Sequence, residues 1–264
     1  RMPDLPLIEA KSIARHFGSV QALQGADFHV NRGEIVALIG DNGAGKSTLV
    51  RILSGTDRPN SGEIRVNGEP VLFSSPQDAR AAGIETVYQD LALAPDLDAA
   101  SNLFLGREVF KPGLLGRLGV LDRAAMARRA REAMSRLGVQ IRPNAEVFKL
   151  SGGQRQSVAV ARAAAWATNV IFMDEPTAAL GVVQTRGVLD LIRRVRDAGT
   201  AVVLISHNLP QVLEIADRVV VLRLGRKVAE AASSDITVDD LVSAMTTGSL
   251  RRWQHQKTGN PSND

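Results

Sequence analysis

"EIVALIGDNGAGKST", Glu34 to Thr48, is the stretch from which the fold can be read. Glu34–Gly40 is a continuous apolar run of the kind that forms a strand buried on both faces. The next residues, Gly40, Asp41, Asn42, Gly43, Ala44, Gly45, Lys46 and Ser47, fit the spacing G-x-x-x-x-G-K-[ST], with Thr48 following. Lys46–Ser54 then reads as a helix. A strand that turns through glycines into a helix gathers backbone N–H groups and the positive end of the helix dipole at one point. That is a cradle for phosphates. Lys46 supplies a point charge for the β- and γ-phosphates of a nucleotide, and the Ser47 hydroxyl can ligate Mg²⁺.

Four other runs share the character of the first: "GIETVYQ" (Gly83–Gln89), "NVIFMDE" (Asn169–Glu175), "TAVVLIS" (Thr200–Ser206) and "RVVVLRLG" (Arg218–Gly225). They are short, β-branched and continuous, so they too read as buried strands. Helical patterns lie between several of them. In Val182–Asp197, residues Val188, Leu189, Ile192 and Val195 fall on one face. This alternation predicts an α/β fold with a P-loop core and a mostly parallel sheet. Two regions depart from it. Ile8–Val30 and Gly62–Phe73 read as short strands with turns such as "NGEP" (Asn67–Pro70), an antiparallel layer at the N-terminal end. From about residue 91 to 165 the strands stop. There "LDRAAMARRAREAMSRLG" (Leu121–Gly138) reads as an arginine-rich amphipathic helix capped by Asp122, within an inserted helical subdomain. The ATPase domain is expected over residues 1–248, with 249–264 a polar, disordered tail.

Composition narrows the function. The chain has 264 residues, 44% of them hydrophobic, yet no apolar run approaches the roughly 18 residues that span a bilayer. "RMPDLPLIEA" contains no apolar core of a secretory leader. Cys is absent, which excludes disulfides and thiolate metal sites. The net charge of +4 reads as arginines on solvated helix faces, and the basic helix lacks the interleaved aromatics that stack on bases. The reading is a soluble, intracellular chain without a nucleic-acid partner.

The remaining strand ends carry candidate chemistry. Asp174 closes an apolar strand at the carboxyl edge of the sheet, where it can hold Mg²⁺, and Glu175 is the candidate base for the attacking water. His207 and Gln89 end two other strands on the same edge, one a candidate γ-phosphate sensor, the other within reach of Mg²⁺ or the water. "LSGGQRQ", Leu150–Gln156, is a second helix start suited to an anion, at Ser151, Gly152, Gly153 and Gln154. Why one chain carries two phosphate-seeking helix starts is not answered by either motif alone.

Taken together these residues resemble the nucleotide-binding subunit of ATP-binding cassette (ABC) transporters, over about residues 7–245. The likeness comprises the Walker A loop (Gly40–Thr48), the Q-loop Gln89, the signature "LSGGQ" (Leu150–Gln154), Walker B (Val170–Asp174) with Glu175, and the switch His207. It implies ATP and Mg²⁺ as cofactors and Phe17 as the aromatic that stacks on adenine. It also implies a head-to-tail homodimer in which the signature of one copy covers the γ-phosphate held by the other. In this chain Gly181 stands where the family usually has Asp after Ala179-Leu180.

"GIETVYQDLALAPDL", "NLFLGRE" and "EPTAALGV" are similar to monosaccharide importers of the ribose, xylose and fructose type, most of all the single-cassette fructose importers. The resemblance then implies an integral-membrane permease as partner, docked through residues 89–97 and the helical insert. It implies a periplasmic sugar-binding protein indirectly, and a peripheral position on the cytoplasmic side of the inner membrane. An exporter ATPase, a soluble ABC ATPase acting on nucleic acid or ribosomes, and a nucleotide-dependent module without hydrolysis are the alternatives.

Overall fold

The computed structural model describes residues 5–250. Two sheets organise it. The first is antiparallel, built from β1 (Ile8–Phe17), β2 (Val20–Val30), β4 (Ser61–Val66) and β5 (Glu69–Val71) in the order β2-β1-β4-β5, the N-terminal layer expected from its turns. The second is formed by β3 (Ile35–Ile39), β6 (Ile84–Val87), β7 (Val170–Asp174), β8 (Ala201–Ile205), β9 (Arg218–Arg223) and β10 (Arg226–Ala232). Its order is β10-β9-β3-β8-β7-β6, parallel throughout except at β10. That last strand is absent from the sequence reading. It returns antiparallel through Leu224 and Gly225, both at positive φ. The apolar run before it fades into a charged strand whose pairing, not its composition, makes it β.

The main sheet is covered on both faces, which is why its strands are continuous rather than alternating. Ile35, Ala37 and Ile39 face a core with the helices, while Val36 and Leu38 face a second core shared with the antiparallel sheet. β6 departs from expectation. It is an edge strand, and Glu85 and Thr86 are only half-buried.

The helices are α1 (Lys46–Leu53), α2 (Pro76–Ala81), α3 (Ala99–Leu103), α4 (Leu114–Arg117), α5 (Arg123–Arg136), α6 (Gly152–Trp166), α7 (Val182–Asp197), α8 (Leu209–Ile215) and α9 (Val238–Thr247). α5 starts where its cap predicts, with the Asp122 carboxylate accepting from the Ala125 N–H at 2.9 Å. α7 buries Val188, Leu189, Ile192 and Val195, as its period requires, and Leu191 as well. Between β6 and β7 lie only helices, turns and two isolated bridges. At the C-terminal end Leu250, assigned to the tail by its sequence, is 4% exposed and packs into the main core. The disorder expected of the rest of the tail falls on residues 251–264, outside the described residues.

One ionic junction holds the two sheets together. The Arg218 guanidinium on β9 reaches Glu34 at 2.6 Å, Glu230 on β10 at 2.6 Å, and the His29 carbonyl on β2 at 2.8 Å. Arg218→Ala leaves Glu34 without the guanidinium and Glu230 with only Lys227 and His29, and is expected to cost about 3 kcal/mol. Urea denaturation should show a lower midpoint with an unchanged slope. Burial works to raise the Glu230 pKa, but Lys227, Arg218 and His29 outweigh it and hold it below 4.5. The Glu230 contribution is therefore present above pH 4.5 and fades as the pH falls through the depressed value, so the wild-type advantage narrows in acid.

Candidate active site

Parallel register brings the candidate residues together. Leu38 on β3 pairs with Ile205 on β8, Ile205 with Asp174 on β7, and Met173 with Val87 on β6. Four strands thus end at one edge, and the loops that follow them carry the 40–48 turn, His207, Glu175 and Gln89.

The 40–48 turn is seated rather than loose. Gly40, Gly43 and Gly45 have φ of 153°, 81° and 102°. A Cβ at Gly40 would lie 2.3 Å from the Leu222 carbonyl oxygen, and one at Gly45 2.6 Å from that of Ala22. Only glycine fits against β9 and β2 at those points. α1 has no side-chain cap and no acidic residue in its first turn, so its leading N–H groups remain available to an anion. Asp41, Asn42, Gly43 and Ser47 are exposed, Thr48 is half-buried, and Ala44 is buried, its carbonyl accepting from Gly225. The Lys46 ammonium donates to the Gly40 and Asp41 carbonyls at 2.6 and 3.0 Å. Burial lowers its pKa, opposed by Glu175, Asp41 and Asp174. A half-buried cation held by its own loop is poised for a stronger anionic partner.

Across the edge, burial and the neighbouring Glu175 push the Asp174 carboxyl above its ordinary value, with Lys46 pulling the other way. Glu175 stands at φ 50°, a conformation that costs a non-glycine residue of order 1 kcal/mol, and is held there by its N–H donating to the Ile205 carbonyl at 2.9 Å. Glu175 Oε1 lies 2.8 Å from His207 Nδ1. The carboxylate is only 18% exposed and the imidazole 79%, so the pair runs from inside the edge out to solvent. Gln89 lines an open depression together with Tyr88, Asp90, Ala92 and Asp174. Phe17, at the end of β1, is an exposed ring rather than a core one, with the Arg15 guanidinium 4.5 Å from its centroid.

The signature stretch stands apart from this group. Ser151 caps α6 reciprocally. Its hydroxyl accepts from the Gln154 N–H at 3.3 Å, and its own N–H donates to Gln154 Oε1 at 2.9 Å. Ser151, Gly153 and Gln154 line a groove of about 310 Å³ whose other walls are the 138–141 turn and α7, with no residue of the 40–48 loop. Gly152 is exposed, whereas Gly153 is buried. A Cβ at Gly153 would come within 2.9 Å of Gln184, so this glycine permits close helix approach, a role its sequence reading as an anion donor does not contain.

The sequence pattern of the ABC transporter family matches residues 23–178, more than half of the chain. The chain belongs to that family. Among its relatives, the fructose import ATP-binding protein FrcA of Rhizobium meliloti is 52% identical over 93% of this chain and 95% of its own length. The xylose/arabinose import ATP-binding protein XylG of Sulfolobus acidocaldarius is 44% identical over 92% and 95%. A ribose import ATP-binding protein of Rubrobacter xylanophilus is 45% identical over 93% of this chain but only 48% of its own length. The ADP conformation of the ATP-binding cassette MJ1267 shares the fold at TM-score 0.76 and 22% identity, covering 97% of this chain and 100% of that one. A dimeric post-hydrolysis structure of the cassette MJ0796, bound to ADP and Pi, aligns at TM-score 0.70 and 25% identity, over 86% of this chain and 98% of that one.

This ABC cassette also positions residues that sequence reading passed over. Arg15 stacks on Phe17 from two positions earlier on the same strand face, a signal that strand alternation could have supplied. Thr177 Oγ1 donates to Gln211 on α8 at 2.8 Å, tying the loop after Glu175 to the helix after His207. No local sequence signal announces that bond, because its partners are joined only by the sheet.

Proposed function

We propose that this ABC cassette is the ATP-hydrolysing subunit of a monosaccharide importer of the fructose, ribose or xylose type. The hydrolytic part of the reading rests on the Glu175–His207 pair, beside Asp174 and Lys46, at the end of parallel strands, and the sugar class rests on the likeness to the fructose, xylose/arabinose and ribose import proteins. Such a placement supports Glu175 as the base for a γ-phosphate held by the 40–48 turn. Glu175 orients and takes a proton from the attacking water. His207 holds the Glu175 carboxylate in place and reaches the γ-phosphate from the solvent side. Lys46 leaves its loop carbonyls for the β- and γ-phosphates, and Phe17 stacks on the adenine.

Ser47, Asp174 and Gln89 form a hard oxygen donor set with one carboxylate. Among the described residues no cluster of three or more His, Cys, Asp or Glu side chains could hold a metal by itself. Such a set suits Mg²⁺, which keeps water and phosphate ligands. When bound there, Mg²⁺ would supply positive charge to offset that of the triphosphate.

The separation of the signature groove from the 40–48 turn supports a head-to-tail homodimer, in which Ser151 and Gly152 of one copy close on the nucleotide of the other. The dimeric state named for MJ0796 is in line with this. A permease partner is supported by apolar side chains left open in the helical insert, Phe110, Leu114, Leu115 and Leu118. On the importer reading this subunit would sit peripherally on the cytoplasmic side; among the described residues no helix is long and apolar enough to cross a membrane. A periplasmic sugar-binding protein would deliver substrate on the other side.

The test is uptake. Cells lacking this chain should lose ATP-dependent accumulation of one radiolabelled monosaccharide and regain it with the wild-type gene but not with Glu175→Gln. Unimpaired uptake of every pentose and hexose tried, alongside loss of export of another solute, would replace the importer reading with an exporter.

A further inference from the structure

The short segment after Glu175 leans directly on the start of the signature helix. At its centre is Gln184, in the first turn of α7, an exposed residue that takes no part in the nucleotide site. Its stem covers Gly153 closely: a Cβ there would lie 2.9 Å from both Cβ and Cγ of Gln184. Its amide turns back toward the loop, so that a Cβ at Gly181 would lie 2.6 Å from Gln184 Oε1. One step earlier, Leu180 Cδ2 sits 3.4 Å from where a Cβ at Gly152 would be. Two glycines on separate segments therefore leave room for one and the same glutamine.

Packing at the stem is close, since α6 cannot move toward α7 without displacing Cβ and Cγ of Gln184. We propose that Gln184 is a positioning residue, a steric wedge that couples the loop following Glu175 to the signature turn of the same chain. Through it the state of one nucleotide site sets how Ser151 and Gly152 are presented to the nucleotide of the partner. The inference rests on the head-to-tail reading above. A side chain at position 181 would have to displace the Gln184 amide from where it stands.

The experiment uses the full chain. ATP-driven pairing is measured by sedimentation in a Glu175→Gln background, and the ATP dependence of turnover is measured with Glu175 intact. Gln184→Ala removes the amide that faces Gly181 and the Cγ that covers Gly153, leaving only Cβ. It should weaken pairing about 3- to 10-fold, the scale on which single residues modulate coupling. The Hill coefficient for ATP should fall toward unity, while nucleotide affinity of the monomer and thermal midpoint stay near wild type. Gln184→Met keeps the stem and much of the length, so it should restore pairing and cooperativity. Pairing and cooperativity in Gln184→Ala equal to wild type would overturn the wedge while leaving the dimer reading intact. A defect shared equally by Ala and Met, with monomer affinity reduced, would also overturn it. Absence of ATP-driven pairing in the parent itself would overturn both.

Discussion

Glu175→Gln is expected to slow ATP turnover roughly 10²- to 10⁴-fold, the range for loss of a general base, while ATP binding stays within a few-fold of wild type. The geometry makes this substitution unusually clean. Gln retains an oxygen to face His207 Nδ1, now 2.8 Å from Glu175 Oε1, and the backbone at φ 50° is held by the Ile205 carbonyl rather than by the carboxylate. What disappears is basicity, together with the negative charge that acts on Lys46 and Asp174. Single-turnover hydrolysis together with equilibrium nucleotide binding separates the two effects, and ATP should accumulate in a long-lived pair of subunits. Turnover at the wild-type rate would remove Glu175 from the role of base. It would also turn the question to the half-buried Asp174, whose pKa burial and Glu175 raise, as another carboxylate at this edge.

Ser151→Arg should abolish ATP-driven pairing and the turnover that depends on it, yet leave the nucleotide affinity of the monomer nearly unchanged. Donors to a charged γ-phosphate contribute about 1.5–3 kcal/mol each, so two of them lost or blocked shift pairing by at least about 100-fold. The arginine also removes the cap of α6, at a cost of about 1 kcal/mol to the helix. Ser151→Ala shares that cost without the bulk and serves as the control. Its thermal midpoint should match that of the arginine variant, while its pairing is only partly weakened. Sedimentation with ATP, and titration of the monomer with a fluorescent nucleotide, read the two quantities separately. Collapse of monomer affinity would mean that the signature meets the nucleotide of its own chain, contrary to the distance implied by its groove between the 138–141 turn and α7.

Much of this was legible before any coordinates. The glycine loop between β3 and α1, the acidic end of β7 and the cap at Asp122 are local patterns, and each appears where its spacing places it. β10 was not legible, because its residues are charged and small and become a strand only by pairing with β9 through the turn at Leu224–Gly225. Nor was the burial of Leu250, whose polar neighbours suggested a tail. Gly153 shows a subtler limit. The sequence marks it as part of an anion-seeking helix start, but its burial under Gln184 depends on how α6 and α7 approach.

By itself, then, the amino-acid sequence determined which segments alternate as strand and helix, where a phosphate could be cradled, and which side chains carry acid, base and sensor chemistry. These follow from backbone sterics, periodicity and side-chain type within a few residues. Tertiary structure alone decided that Leu38, Ile205 and Asp174 stand in register, which fixes how the loops meet along the edge expected from the strand ends. It alone set Glu175 against His207, and the signature away from the phosphate turn. Those relations arise from how apolar faces bury one another across the sheet, a property of the whole packed core that no single stretch of chain contains.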